Sequence, residues 1–388
     1  MTSKRTVAIA IMSVFFIAMG VAITTPAIQD IAEAFPHLSF STILLVFTLP
    51  SLFIIPSSIL AGMAAGSKIK YRTLLIWGTL LFSLAGVAPI FMSNFTTILV
   101  ARALFGVGLG IIMPLGNALV LAFYEGQERA NMLGLGGVMM NIGGIVLQLL
   151  GGFFSSIRWN LAFLPHLIGL VTLIMVTFML PEPEKREEII ANKVTLPWSV
   201  YLIAIIFGVI TMLNYPTGAN MSTIIITGNL GDAASAGIVL SLFTVGGMVA
   251  GAVFGKLYQK IALFSIPVGF AVMAVGAGLV YYAGSLFILA LGMAFIGMGF
   301  GWLMPAFMMM IGMVTSPEAY ATASGILMAF MNLGGFLSTY YIAMLLRINS
   351  AIRFPIFIEM VALLIGALIY LIFSGKIHRS LLGGESVA

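Results

Sequence analysis

The chain is built almost wholly from apolar runs of about 20 residues or more, divided by short polar breaks. A helix rises about 1.5 Å per residue and the hydrocarbon core of a bilayer is about 30 Å thick, so roughly 20 apolar residues make one crossing. Cutting the runs at their polar breaks predicts twelve crossings, at 7–28, 40–65, 73–93, 95–122, 128–154, 160–180, 199–226, 234–258, 263–283, 285–313, 319–346 and 352–374. The apolar residues run on without alternating, which argues against a membrane β-barrel. Composition agrees with an all-α membrane protein. Only 7% of the 388 residues are charged and 61% are hydrophobic, too few charges to clothe a water-soluble surface of this size. That excludes a soluble enzyme, a nucleic-acid binder and a disordered chain. The 43 glycines suit close helix packing in lipid.

The net charge of +5 is explained by where the basic residues fall. With the N-terminus in the cytoplasm, thirteen of the 17 Lys and Arg lie in cytoplasmic segments, three (Arg158, Arg347, Arg353) lie outside, and Arg102 lies within a span. This bias predicts an even number of spans with both termini cytoplasmic. Lys4 and Arg5 precede an apolar run long enough to span and without a small-residue cleavage site, so the first helix is expected to be retained. The chain has no cysteine, so neither disulfides nor thiolate metal sites are available. A charged stretch between spans six and seven, PEPEKREEIIANK, reads as a solvated linker. The expected division is an N-terminal half at 1–180, a cytoplasmic linker at 181–198 and a C-terminal half at 199–388.

The halves resemble each other at a fixed offset. Phe105-Gly-Val-Gly-Leu-Gly-Ile-Ile-Met-Pro114 in span four matches Ile296-Gly-Met-Gly-Phe-Gly-Trp-Leu-Met-Pro305 in span ten, 191 residues on. Asn141-Ile-Gly-Gly144 in span five matches Asn332-Leu-Gly-Gly335 in span eleven at the same offset. Gly62 and Gly66 match Gly251 and Gly255 at 189. Six spans separate the matches, so the copies run the same way through the membrane and form two pseudo-symmetric six-helix halves.

Twelve spans, two like halves and a charged middle loop suggest a secondary transporter, and local motifs sharpen this. The segment Gly62-Met-Ala-Ala-Gly66-Ser-Lys68-Ile-Lys70-Tyr-Arg72 resembles the loop signature of the major facilitator superfamily, with Gly66 where that signature has an acidic residue and Ile69 in place of its second glycine. The resemblance implies a gating role for this loop, and the missing acid puts part of that role in question. Arg102-Ala-Leu-Phe-Gly106-Val-Gly108 resembles the family's Arg-then-glycine pattern in span four. In span five Gly134, Gly143, Gly151 and Gly152 fit the antiporter-type glycine motif, with Leu147 and Gln148 where Gly-Pro is usual. The chain is thus similar to the drug/proton antiporter branch, although Ile17 stands where some exporters carry an Asp.

Arg102 is the strongest single candidate for a functional side chain. A charge at that depth is costly unless it faces protein or water; it can bind a substrate anion, modulate a carboxylate, or act as structural glue. Two carboxylates lie near the apolar region. Asp30, at the outer end of span one, can reach Arg102 or sit in interfacial water. Glu359, about six residues into span twelve, is a candidate proton carrier or a structural partner of Arg353 or a hydroxyl. Asn141, Gln148 and Gly137, Gly144 and Gly151 share one face of span five, and Asn332 begins the repeat of that face in span eleven. The two asparagines can line a cavity or bond between helices. Asn117, Asn214, Asn220, Tyr340 and Tyr341 are further polar groups within spans. Thr24-Thr25-Pro26 and Asn214-Tyr215-Pro216 are expected to interrupt spans one and seven, as broken helices do at transporter sites. Trp302 is the aromatic expected in a Met-rich apolar pocket. His37, His166 and His378 read as isolated interfacial residues, and no Walker loop, metal cluster or nucleophile–base set is present.

The expected function is export of small amphiphilic organic compounds by proton antiport through alternating access, with no cofactor or metal and no nucleic-acid partner. The alternative is uptake or exchange of a small anionic metabolite, with Arg102 as the anion ligand. The expected setting is a multi-pass, monomeric protein of the cell membrane, with short loops that suit a bacterial inner membrane. A receptor or a membrane-embedded enzyme fits less well, since the chain offers neither an extramembrane domain nor a catalytic constellation.

Overall fold

The computed structural model describes residues 4–183 and 196–381. Most of the expected linker, with Lys185, Arg186 and Lys193, lies outside the described residues, as do the side chains of Lys376, His378 and Arg379. Among the described residues the regular structure is helical, and the one β-type pairing given is an isolated bridge between Ala65 and Ile69.

Eleven helical stretches are long and apolar enough to cross a bilayer: Lys4–Ala34, Phe40–Ala64, Tyr71–Phe91, Phe95–Phe123, Gly126–Ile157, Trp159–Met179, Trp198–Thr227, Ala233–Tyr282, Leu286–Val314, Thr322–Ile348 and Phe354–Ser374. Ala233–Tyr282 has 50 residues. At about 1.5 Å per residue it is more than twice the length of one crossing. A 3-10 turn at Ala262–Phe264, with Ala262 at a φ of 44°, divides it into Ala233–Ile261 and Ser265–Tyr282. These are spans eight and nine, so the described residues hold twelve spans in two six-helix halves, as the apolar runs predict. Large apolar side chains such as Phe91, Phe178, Trp198, Phe287 and Ile372 are mostly exposed. In water that surface would aggregate, whereas hydrocarbon solvates it.

Helix starts are fixed by small polar residues. The side chains of Ser39, Asn94 and Ser285 accept from the backbone N–H groups of Thr42 (3.2 Å), Thr96 (2.8 Å) and Ile288 (3.4 Å), capping spans two, four and ten. Asp232 Oδ1 does the same for span eight, accepting from Ser235 N at 2.9 Å and Ser235 Oγ at 2.8 Å. Those hydrogen bonds hold the Asp232 carboxyl below its ordinary range.

Span one breaks where the sequence predicts: Lys4–Ile17 is α-helical, Gly20–Ala27 is a 3-10 segment containing Pro26, and Ile28–Ala34 resumes the helix. Span seven does not break. Trp198–Thr227 is one helix through Asn214-Tyr215-Pro216, which corrects the expected interruption. A single proline removes one N–H, and neighbouring helices and hydroxyls absorb that loss inside a membrane bundle.

Backbone proximity groups the chain into two compact units, Met1–Ile190 with Ile225–Ile238, and Ala191–Ile224 with Val239–Ala388. In the first, span four packs along spans two and three, and span five along span one. In the second, span nine packs along spans ten and twelve. The sequence repeat is also a repeat of backbone contacts. A Cβ on Gly108 of span four would lie 2.8 Å from the Gly78 carbonyl oxygen of span three; one on Gly299 of span ten would lie 2.5 Å from that of Gly269 in span nine. Both members of the pair are displaced by 191 residues. Likewise Gly143 of span five abuts the Phe16 carbonyl, and Gly334 of span eleven abuts the Gly208 carbonyl; a Cβ at either would overlap the oxygen. These glycines are required for close approach of the backbones.

Candidate functional site

Two buried polar clusters stand out, one in each unit. In the first, Arg102 of span four is fully buried. Its Nε donates to the Val46 carbonyl of span two at 2.8 Å. That carbonyl is available because Pro50, four residues on, has no N–H to give it. Arg102 Nη1 lies 3.3 Å from His166 Nε2. His166 Nδ1 lies 2.8 Å from the Phe163 carbonyl oxygen, which only accepts, so the imidazole hydrogen sits on Nδ1 and Nε2 accepts from the arginine. The guanidinium carbon stands 4.2 Å from the Phe105 ring centroid, a desolvated cation–π contact worth about 2 kcal/mol. Nη2 has no hydrogen-bond partner among the described residues.

His166 is therefore no interfacial histidine. It is wholly buried in the 3-10 segment Trp159–Leu167 that opens span six. Span three makes room for it with Gly86, where a Cβ would collide with the ring. The expected pairing of Arg102 with Asp30 is not made. Asp30 Oδ2 accepts from Ser155 Oγ of span five at 2.5 Å, and its charged neighbours are the carboxylates Glu33 and Asp232.

The second cluster centres on Glu359 of span twelve, also fully buried. Its Oε1 accepts from Asn214 Nδ2 at 2.9 Å, and its Oε2 accepts from the Thr217 hydroxyl; both partners lie on span seven. Both are neutral. Of the two partners the sequence offered, a hydroxyl is present in Thr217, whereas Arg353 donates to the carbonyls of Tyr281 (2.9 Å) and Ala283 (2.7 Å). Among the described residues no cation pairs with Glu359 and no carboxylate with Arg102.

The remaining candidates are dispersed. Asn141 Nδ2 donates to Gly137 O, and Asn332 Nδ2 to Met328 O, each at 2.9 Å and each within its own helix. The two repeat positions thus behave alike, and these amide hydrogens do not bridge helices. Gln148 is buried, whereas Asn117 and Tyr340 are exposed. Trp302 Nε1 donates to the Ala250 carbonyl of span eight at 3.0 Å, and Asn220 Nδ2 to Ile352 O at 3.1 Å. Of the span-five motif, Gly143 and Gly151 press on carbonyls of span one, a Cβ added at Gly152 would lie 2.5 Å from Ala233 O, and Gly134 faces open space.

In the loop after span two, Gly66 takes a φ of 77°, a left-handed turn that suits glycine. Gly62, Lys68 and Lys70 are exposed. The acid this loop lacks has a counterpart elsewhere. Glu182, just past span six, accepts from the backbone N–H of Tyr71 (2.7 Å) and Arg72 (3.1 Å), and so caps span three. Arg72 Nη2 donates to the Thr177 carbonyl of span six.

The model of the Major Facilitator Superfamily matches residues 10–216 and 203–382. The chain belongs to this superfamily. Among curated members it is 29% identical over 182 residues to the multidrug transporter protein MdtP of Bacillus subtilis, covering 45% of this chain and 32% of that one. It is 31% identical over 154 residues to the methylenomycin A resistance protein of Streptomyces coelicolor, covering 39% and 32%. The chain thus spans about a third or less of the length of the curated relatives it matches. Among solved structures, a bacterial homologue of the human lysosomal transporter Spinster aligns over 100% of both chains with a TM-score of 0.75 at 15% identity, which establishes the shared fold. This major facilitator protein is accordingly a multi-pass membrane protein. Members of the superfamily carry small molecules, often with proton coupling, and the curated proteins this chain resembles include drug-resistance proteins.

Proposed function

We propose that this transporter exports small amphiphilic organic compounds in exchange for protons, and that Glu359 carries the proton. One observation carries the reading: Glu359 is fully buried and held only by neutral partners, Asn214 and Thr217. A carboxyl among neutral donors can gain or lose a proton without breaking an ion pair, which is what a coupling group must do. The drug-resistance relatives support the substrate class. In this reading the halves 1–180 and 199–388 alternate access as a monomer, in a bacterial inner membrane, with both termini cytoplasmic. Asp30, which accepts from Ser155, is the secondary candidate for the proton carrier. Arg102, enclosed by Val46, His166 and Phe105, positions helices and does not touch substrate.

The second reading, carriage of an anionic metabolite, draws on the Arg102 Nη2 atom, which lacks a hydrogen-bond partner among the described residues. One experiment separates the two. Purified protein in liposomes loaded with a pH-sensitive dye receives a proton gradient and then lipophilic cations or small organic anions. Proton movement triggered by cations, and lost in Glu359→Gln, is the expected result. Proton-independent anion flux that vanishes in Arg102→Ala while Glu359→Gln is normal would replace this reading with the second.

A further inference from the structure

The polar groups around Glu359 extend beyond its two partners. Asn220, one turn past Thr217 on span seven, is fully buried. Its Nδ2 is committed to Ile352 O, in the lead-in to span twelve. Its Oδ1 is buried without a hydrogen-bond partner among the described residues. Thr217 gives its hydrogen to Glu359, so its oxygen still has lone pairs to offer. Two residues three apart on a helix lie about 4.5 Å apart along the axis and on neighbouring faces. An unsatisfied acceptor in a membrane interior is costly. A water donating one hydrogen to Asn220 Oδ1 and the other to Thr217 Oγ1 would satisfy both.

We propose that Asn220 and Thr217 hold a water through which Glu359 exchanges its proton with the lead-in to span twelve at Ile352. The inference rests on Glu359 being the proton carrier. As Glu359 is loaded, Thr217 passes its hydroxyl hydrogen to the carboxylate and takes one from the water. The hydroxide left behind takes a proton arriving from the Ile352 side and is water again, so the net change is one proton added to Glu359, and each O–H bond broken along the way is matched by one formed. Asn220 is a positioning residue: it fixes the water and never bonds the carboxyl. The groups facing Glu359 leave this lane uncontested. Asn214 and Thr217 on span seven are neutral. The Tyr341 hydroxyl of span eleven is buried within electrostatic range and has no hydrogen-bond partner among the described residues. Arg353, in the turn just before the helix that carries Glu359, donates to the Tyr281 and Ala283 carbonyls.

The test is the rate of proton uptake in dye-loaded liposomes after a rapid pH jump. Asn220→Leu removes the acceptor, and uptake is expected to slow about tenfold or more with its final amplitude unchanged. Asn220→Ser keeps an oxygen for the water and is expected to stay within about threefold of wild type. A wild-type rate in Asn220→Leu overturns the relay. Should that variant fail to fold, infrared spectroscopy of the wild type decides: the Glu359 carboxyl hydrogen is expected to exchange with deuterium without substrate, and exchange only during turnover overturns the proposal. Glu359→Gln distinguishes the two layers of the argument. If it leaves the uptake amplitude intact, the carrier reading fails and the relay falls with it; loss of amplitude there, beside a normal rate in Asn220→Leu, removes the relay alone.

Discussion

Span six and span twelve hold the same place in their halves, and each brings a buried polar group to a neighbouring helix of its own half. In the first half the group is His166, a neutral acceptor facing the permanent charge of Arg102. In the second it is Glu359, a group of optional charge facing the neutral donors Asn214 and Thr217. The glycine contacts of the two halves match at an offset of 191 residues, down to the Gly108–Gly78 and Gly299–Gly269 pairs, while these side-chain clusters do not match at all. The scaffold was kept by duplication because a Cβ at those glycines has nowhere to go. The polar clusters were free to diverge because each needs only its own donors and acceptors. A fixed cation is suited to holding helices together, and a carboxyl without a counter-ion to gaining and losing a proton.

The comparison breaks first at Glu359. Glu359→Gln should reduce substrate-driven proton movement by roughly 100-fold or more while the protein remains folded, because an amide of the same shape can still bond Asn214 and Thr217. A comparable loss in His166→Gln, measured in the same liposomes, would show that both halves handle protons. Next is the fixed cluster. Arg102→Met should lower stability by about 2–4 kcal/mol in a detergent unfolding titration, since it strands the Val46 carbonyl and the His166 Nε2. Pro50→Ala supplies the N–H that Val46 lacks, so the double variant should recover about 1 kcal/mol of that loss. Strict additivity would mean that the proline does not matter to Arg102. Gly86→Ala should cost about 1–3 kcal/mol, because the added methyl meets the His166 ring; a neutral outcome would mean that His166 is looser than its contacts imply.

The smallest effect concerns pH at the start of span eight. The Asp232 carboxyl is held below its ordinary value by hydrogen bonds from Ser235. A depressed carboxyl contributes stability that is present above the unfolded value and lost as pH falls through the folded one. Wild type should therefore lose a little stability below about pH 4 that Asp232→Asn does not lose. The group is largely exposed, so screening keeps this effect to tenths of a kcal/mol. Parallel acid profiles for the two proteins would show that the cap is indifferent to charge.

The spans were legible because bilayer thickness sets their length, and the duplication because Gly, Pro and Asn recur at one spacing. Arg102 and Glu359 were legible as charges at membrane depth. Their partners were not. Asn214 and Thr217 lie 145 and 142 residues from Glu359, and His166 lies 64 from Arg102; no local pattern reports such distances. His166 sits near the start of its span in the linear sequence, where a histidine normally meets water. A 3-10 opening to the span carries it into the core instead. The clue that could have found it was Gly86, a glycine with no role in the repeat, opposite an aromatic ring. Pro50 was visible too, and a proline within a span always leaves one carbonyl four residues back in want of a donor. Span seven misled for the opposite reason: Pro216 resembled a break, but a bundle interior tolerates a lone missing N–H.

Glu182 decides where this chain can be divided. Its carboxylate closes the first turn of span three across more than a hundred residues, so the first half is stitched shut only after span six has ended. A fragment stopping at residue 180 would lack that stitch, and one stopping at residue 183 would keep it. Two polypeptides made separately and joined in a membrane should therefore be cut beyond Pro183, where the first half already carries its own fastening.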